Sequence, residues 1–170
     1  MGTGIQICGL NGCGKSTLGK ALAQALGFHF IDNEDLYFTR SAPDAPYADP
    51  RSREEAEQLL REEIQAHPDF VFAAVRGNQA QIHYDYVVLI QVPRELRLER
   101  VRNRSLGKFG SRMLPGGDLF EQEEAFFQMV SERSEDHVEQ WLQTLQCPVI
   151  SVDGTKPISE NVAYIVSLIK

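Results

Sequence analysis

The sequence predicts an α/β protein, a parallel sheet covered by helices on both faces. Three observations carry that reading. Short β-forming apolar runs alternate with segments of helical periodicity along the chain. Two of the runs, FVFAAV (70–75) and DYVVLIQVP (85–93), are rich in apolar β-formers, as strands buried on both faces are. A glycine-rich stretch, CGLNGCGKST (8–17), stands between a strand pattern and a helix pattern.

Taken in order, GIQICGL supplies the first strand through Ile5, Ile7 and Cys8. KSTLGKALAQALG follows, with Leu18, Ala21, Leu22, Ala25 and Leu26 at helical spacing and Gly27 as the stop. FHFIDNEDLYF (28–38) begins as a strand and ends in an acidic loop, and residues 39–52 read as an irregular surface segment. Ser52 and Glu55 form a capping box for a helix that buries Ala56, Leu59, Leu60 and Ile64. After the two apolar strands, Pro93 opens a basic helix, RELRLERVRNRS. Residues 106–118 carry too many glycines to be regular and read as a loop. One helix spans 119–145, with Phe126, Phe127, Val130, Val138, Trp141, Leu142 and Leu145 inward. CPVISVDGTKP gives a fifth strand. Pro157 suits the first turn of a last helix that turns Ile158, Val162, Ile165, Val166 and Ile169 inward.

The stretch Gly9-x-x-x-x-Gly14-Lys15-Ser16, with Thr17 following, is a phosphate-cradle pattern. Glycines let successive N–H groups turn toward an anion, and the following helix adds its positive end. Lys15 would reach the β- and γ-phosphates of a nucleotide and the Ser16 hydroxyl would face Mg²⁺. Asn11, Gly12, Cys13 and Gly14 complete the cradle. In parallel sheets ligands sit at the carboxyl ends of the strands, where this loop lies.

The 170 residues suffice for one domain, 1–170, with a sizeable core, and 42% hydrophobic with 24% charged residues is ordinary for a globular protein. A net charge of −7 argues against general nucleic-acid binding. No apolar run is long enough to cross a membrane, and no basic stretch precedes the first apolar residues, so neither a membrane partner nor a signal peptide is expected. Cys8, Cys13 and Cys147 suit neither a zinc site nor a disulfide framework, which reads as a reduced, cytoplasmic protein. His29, His67, His83 and His137 show no metal-ligand spacing. The sequence leaves monomer and homodimer both open.

With these pieces placed, the chain resembles the small P-loop kinases, the adenylate kinase, shikimate kinase and gluconate kinase group. The glycine pattern carries the resemblance, with VPRELRLERVRNR (92–104), VDGTKPISENV (152–162) and IDNEDL (31–36). It implies a P-loop NTPase three-layer fold with strand order 2-3-1-4-5, an acceptor-binding region at about 33–67 and a small lid at about 105–120. It also implies transfer of the ATP γ-phosphoryl group, with Mg²⁺, to a small-molecule acceptor. Arg100 and Arg104 match the family's arginine pair, and Gly154, Thr155 and Pro157 lie in the segment matching its adenine loop. Strand three ends AAVRGN, without the acceptor motif of adenylate or shikimate kinases, so the acceptor stays open.

Several charged residues fall where such a ligand would lie. Asp32 is the candidate catalytic and metal-shell acid, or alternatively a helix cap. Asp32 and Glu34 point the same way if the chain stays extended, and Glu34 or Asp35 would orient or deprotonate an acceptor hydroxyl. Lys15 and Arg104 would neutralise the transferred phosphoryl, while Arg100 would meet the nucleotide. Arg51 and Arg76 are candidate anchors for an anionic acceptor, or surface arginines. Arg133 would close onto phosphates or pair with Glu132 or Glu135. Lys108 and Arg112 belong to the lid or to a plain surface loop. Cys13, inside the cradle, is expected to be alkylated readily and protected by Mg·ATP, or alternatively to be a tolerated small residue packed with its sulfur turned away.

A nucleotide-binding regulator and an ATPase module with little kinase activity are the rival readings.

Overall fold

The computed structural model describes residues 2–38, 50–76, 82–134 and 136–169. Much of the segment 39–52 and the end of AAVRGN therefore lie outside the described residues, as does Glu135.

Five parallel strands pair in the order β2-β3-β1-β4-β5. They are β1 (Gly4–Cys8), β2 (His29–Asp32), β3 (Phe70–Ala73), β4 (Tyr86–Gln91) and β5 (Val149–Asp153). The helices are α1 (Lys15–Leu26), α2 (Asn33–Tyr37), α3 (Arg53–Ala66), α4 (Arg94–Phe109), α5 (Phe120–Glu132), α6 (Asp136–Leu142) and α7 (Ile158–Leu168), with a 3-10 turn over Gly110–Met113. The α/β alternation and the strand order agree with the expectation.

Every residue of β1 is buried, because the sheet is covered on both sides. Ile5 and Ile7 pack with Leu18 and Leu22 of α1 and Ile165 of α7. On the other face Cys8 packs with Leu60 of α3 and with Val138 and Trp141 of α6. Each such aliphatic side chain contributes roughly 1.5–3 kcal/mol by leaving water. A third cluster holds Val101 and Phe109 of α4, Met113, Leu119, and Phe127 and Val130 of α5.

Four local expectations are corrected. The residues after β2 form a helix, not an acidic loop, because Asp32 Oδ1 accepts the Glu34 N–H at 3.0 Å and caps α2. Consequently Asp32 and Glu34 do not alternate along an extended strand. Residues 106–113 are helical and 3-10 despite their glycines, because Phe109 and Met113 bury themselves in the third cluster. The helix expected over 119–145 is two helices, broken at Arg133, whose backbone turns extended. Finally, Ala25 and Val166 are exposed, and Gly19, Ala23 and Asn161 occupy buried positions of α1 and α7. Gly19 is buried because the Phe30 ring occupies the space of a β-carbon.

Gln6, fully buried in β1, has no hydrogen-bond partner for either amide atom among the described residues. An unpaired buried amide costs more than an apolar group of similar shape. Gln6→Met is therefore expected to raise the unfolding free energy by about 1 kcal/mol. Urea denaturation measures this, and a lowered midpoint at unchanged slope would show that the amide has a partner.

Candidate active site

The glycine loop, residues 9–14, joins β1 to α1 at the carboxyl edge of the sheet. Gly12 has φ +85°, and a β-carbon there would lie 2.3 Å from the Arg97 carbonyl oxygen. Only glycine lets α4 approach the loop this closely. Gly14, at φ +97°, caps α1 without a side chain, so the first-turn amides and the positive helix end are left for an anion. Lys15 lies over its own loop. Its Nζ donates to the Leu10 carbonyl at 3.3 Å, and the same carbonyl accepts the Cys13 N–H at 3.2 Å. Ser16, on the first turn of α1, donates its hydroxyl to Asp32 Oδ2 at 2.5 Å. Asp32 thus joins the end of β2 to the start of α1 with one oxygen and caps α2 with the other.

Arginines grip the loop from outside. Arg97, buried on α4, donates to the Val92 carbonyl at 3.3 Å and the Asn11 carbonyl at 3.5 Å. Arg100, one turn on, reaches the Gly12 carbonyl at 3.5 Å and the Gly154 carbonyl at 3.2 Å. It therefore bridges the glycine loop and the loop after β5. Arg133 donates to Asn11 Oδ1 at 2.8 Å. This bond takes the place of the expected pairing with Glu132; Glu135 lies outside the described residues. Burial, and secondarily the charge of Arg76, disfavour the Arg133 cation. The same two arginines, after burial, push His137 below the ordinary imidazole value.

Beyond β5, Asp153 Oδ1 accepts the Thr155 hydroxyl at 2.6 Å and the Thr155 N–H at 2.8 Å. Those bonds, the hydroxyl first, hold the exposed Asp153 carboxyl below the usual range. The Asn161 amide donates to the Asp153 carbonyl at 2.8 Å, and the Gly154 N–H donates to the Gln91 carbonyl at 2.9 Å. Pro157 precedes the first residue of α7.

The fold brings together Asn11, Gly12, Cys13, Gly14, Lys15, Ser16, Asp32, Arg100, Arg133 and Gly154 through the bonds above. Thr17, Glu34, Asp35 and Arg104 are exposed, and Arg104 makes no hydrogen bond to either loop among the described residues. Arg51 donates to the carbonyls of Asp35 and Leu36 at 3.3 and 3.0 Å, so its guanidinium ties down the end of α2. Arg76, exposed just past β3, acts electrostatically on Arg133 and His137. In the segment expected as a lid, Arg112 forms a fork on Asp118 at 3.0 and 2.8 Å. Cys13 takes the second of its two expected placements. It is 2% exposed, and its sulfur fills the space where a Gly9 β-carbon would lie, so it packs inward instead of standing ready for alkylation.

Sequence reasoning missed Arg97 and His137. Arg97 had a signal, since it precedes Arg100 by three residues and shares its helix face. His137 had one too, since it follows Arg133 by four residues, the spacing that sets side chains together on a helix.

Two concavities flank the loop. One of about 650 Å³ runs between α5 and α6 and includes Met129, Arg133 and His137. The other, about 590 Å³, opens at the ends of β4 and β5 beside Gly9, Leu10, Asp153 and Thr155. Lys15, Ser16 and Asp32 line neither, so the loop geometry defines the site better than the size of the hollows. A proton NMR titration should find His137 ionising below the ordinary value of about 6.5. Added sulfate should raise that midpoint by offsetting the arginine charges. A midpoint at or above the ordinary value would remove the electrostatic coupling of Arg76, Arg133 and His137.

Comparison with known proteins places this geometry. The family model described as AAA domain matches residues 5–112. The chain is 28% identical over 169 residues to the uncharacterized protein YqaC of Bacillus subtilis (strain 168), covering 93% of this chain and 92% of that one. It is 30% identical over 128 residues to the shikimate kinase of Gloeobacter violaceus, covering 69% and 70% respectively. Among solved structures, shikimate kinase from Aquifex aeolicus superposes with a TM-score of 0.55 at 19% identity, covering 98% of this chain and 95% of that one. Deoxyadenosine kinase from M. mycoides superposes at 0.59 and 14% identity, covering 98% of each chain. At these identities the structures show the shared fold. On its loop, its strand order and these relatives, the chain belongs to the AAA-domain family and to the small P-loop kinase superfamily.

Proposed function

We propose that the chain is an ATP-dependent phosphotransferase acting as one domain, 1–170. It would bind Mg·ATP on the glycine loop and pass the γ-phosphoryl to a hydroxyl or phosphate of a small metabolite, nucleoside, nucleotide or sugar-like. The observation that carries this reading is the 2.5 Å bond from Ser16 to Asp32 beside Lys15, which sets a hydroxyl, a carboxylate and an ammonium around the start of α1.

The residues fit both groups. Among the described residues, apart from its own chain neighbours and the backbone of α1, no atom stands within 4 Å of where a Gly14 β-carbon would be, and α1 begins without a side-chain cap, which suits a polyphosphate. Ser16 and Asp32 offer hard oxygens of the kind Mg²⁺ takes together with water. Bound Mg²⁺ supplies charge neutralisation across the β- and γ-phosphates.

In this reading Lys15 leaves the Leu10 carbonyl for the phosphates. Asn11, Gly12, Cys13, Gly14, Ser16 and Thr17 present backbone donors. Arg100, Gly154, Thr155 and Pro157 hold the nucleotide end, and Arg104 adds charge at the phosphoryl. Asp32 holds the metal shell and takes the proton of the acceptor hydroxyl. The acceptor oxygen would then form the new P–O bond as the bond from the γ-phosphorus to ADP breaks. Glu34, Asp35, Arg51 and Arg76 address the acceptor in the region about 33–67, and Arg133 closes from the far side. The segment at about 105–120 works as a lid that excludes water.

Two variants test the reading. Lys15→Ala should weaken Mg·ATP binding at least about tenfold in calorimetry, since the loop loses its point charge. Asp32→Asn should keep the affinity yet slow transfer by about 10²–10⁴-fold. Parent-like ATP binding by the Lys15 variant would contradict the loop's role. Unchanged turnover of the Asp32 variant would move the catalytic acid to Glu34 or Asp35. Tight Mg·ATP binding without transfer to any small acceptor would favour a nucleotide-binding regulator.

A further inference from the structure

We propose that His29, Glu63 and His67 form a binding site for a divalent transition metal, separate from the nucleotide site. Thirty-four residues separate His29 from Glu63, so no sequence spacing announces the group. The fold closes that gap. One ligand atom from each of the three side chains lies within 4.8 Å of the others. His29 Nε2 and Glu63 Oε2 are 2.6 Å apart, and the His29 and His67 rings stack with centroids 3.8 Å apart at 16°.

The backbones beneath these side chains are fixed. His29 opens β2 in register with Phe70, and its N–H donates to the Asp69 carbonyl at 3.0 Å. Glu63 lies in the last turn of α3, and its carbonyl accepts the His67 N–H at 2.9 Å, closing the helix. His67 is the C-cap that follows α3, and Glu63 and His67 both reach His29 at the start of β2. The ligands therefore stand on a strand, on a helix and at that helix's cap, and their side chains adjust to an ion. A tetrahedral ion with bonds of about 2.0–2.2 Å would draw the donor atoms together from their present spacing.

The donor set chooses the metal. Two imidazoles and a carboxylate favour Zn²⁺, Co²⁺, Ni²⁺ or Cu²⁺ over Mg²⁺, which prefers oxygens and keeps its waters. Each histidine offers one nitrogen lone pair, and the His29 proton moves to Nδ1 as Nε2 turns to the ion. Three protein ligands leave a fourth position for water. The side chains of His29 and Glu63 are 34% and 45% exposed and His67 is exposed, so an ion has a path in. The site sits at the beginning of β2 and Asp32 at its end, roughly 10 Å apart along the strand. A bound ion would clamp β2 to the end of α3 and raise the stability of the folded chain by mass action.

Titration of the full chain with Co²⁺ and with Zn²⁺, in excess Mg²⁺, tests the proposal. One equivalent of Co²⁺ should develop a visible d–d band, which one equivalent of Zn²⁺ should abolish. Zn²⁺ should also raise the melting temperature. His29→Ala and His67→Ala should each weaken binding at least about tenfold. Cys147→Ser, which changes the most exposed of the free thiols, should leave it unchanged. Melting in EDTA identifies which histidine variants fold. Binding that survives both histidine changes, binding lost in Cys147→Ser, or no binding to the parent overturns the assignment.

Discussion

The rest of the site depends on how the glycine loop is held. Its backbone lacks the side-chain bulk that fixes most loops, so its shape comes from outside. Arg97 and Arg100 reach the carbonyls of Asn11 and Gly12 from α4, and Arg133 holds the Asn11 side chain from beyond α5. The cation that disfavours itself by burial at Arg133 is retained because it bonds the loop. A chain of net charge −7 thereby gathers positive charge at one edge of its sheet.

That arrangement also explains the break between α5 and α6. Hydrophobic periodicity runs through 119–145 as if for one helix. Arg133 leaves the helical conformation where its guanidinium meets Asn11, and α6 then carries Val138 and Trp141 into the core beside β1. The long-range bond overrides the local pattern, and His137, four residues on, feels the charges of Arg76 and Arg133.

Most of the framework was legible in the sequence. Apolar runs gave the strands, the Ser52–Glu55 box is present, and the glycine pattern located the cradle. What escaped depends on partners distant in sequence. The glycines of 106–113 signalled a loop, but Phe109 and Met113 find a helical core that periodicity cannot display. The acids after β2 allowed an extended run or a helix cap, and the choice falls to the cap because Asp32 bonds both the Glu34 N–H and Ser16. Cys13 looked reactive beside Lys15, yet the inward-facing space above Gly9 takes its sulfur. Asp32 does stand at a strand end, as expected, and there it meets Ser16. The bonds from Arg51 to the end of α2 could not be read from spacing, because their partners lie 15 and 16 residues away.

The central claim is that this loop serves phosphoryl transfer and not merely nucleotide retention or hydrolysis. Phosphorus NMR of Mg·ATP incubated with the protein and pools of small hydroxyl and phosphate metabolites follows the γ-phosphorus to its product. The account predicts a new phosphoester or phosphoanhydride resonance, dependent on one pool, growing as the γ resonance of ATP declines. Inorganic phosphate as the sole product, at the same rate with every pool and with none, would contradict it.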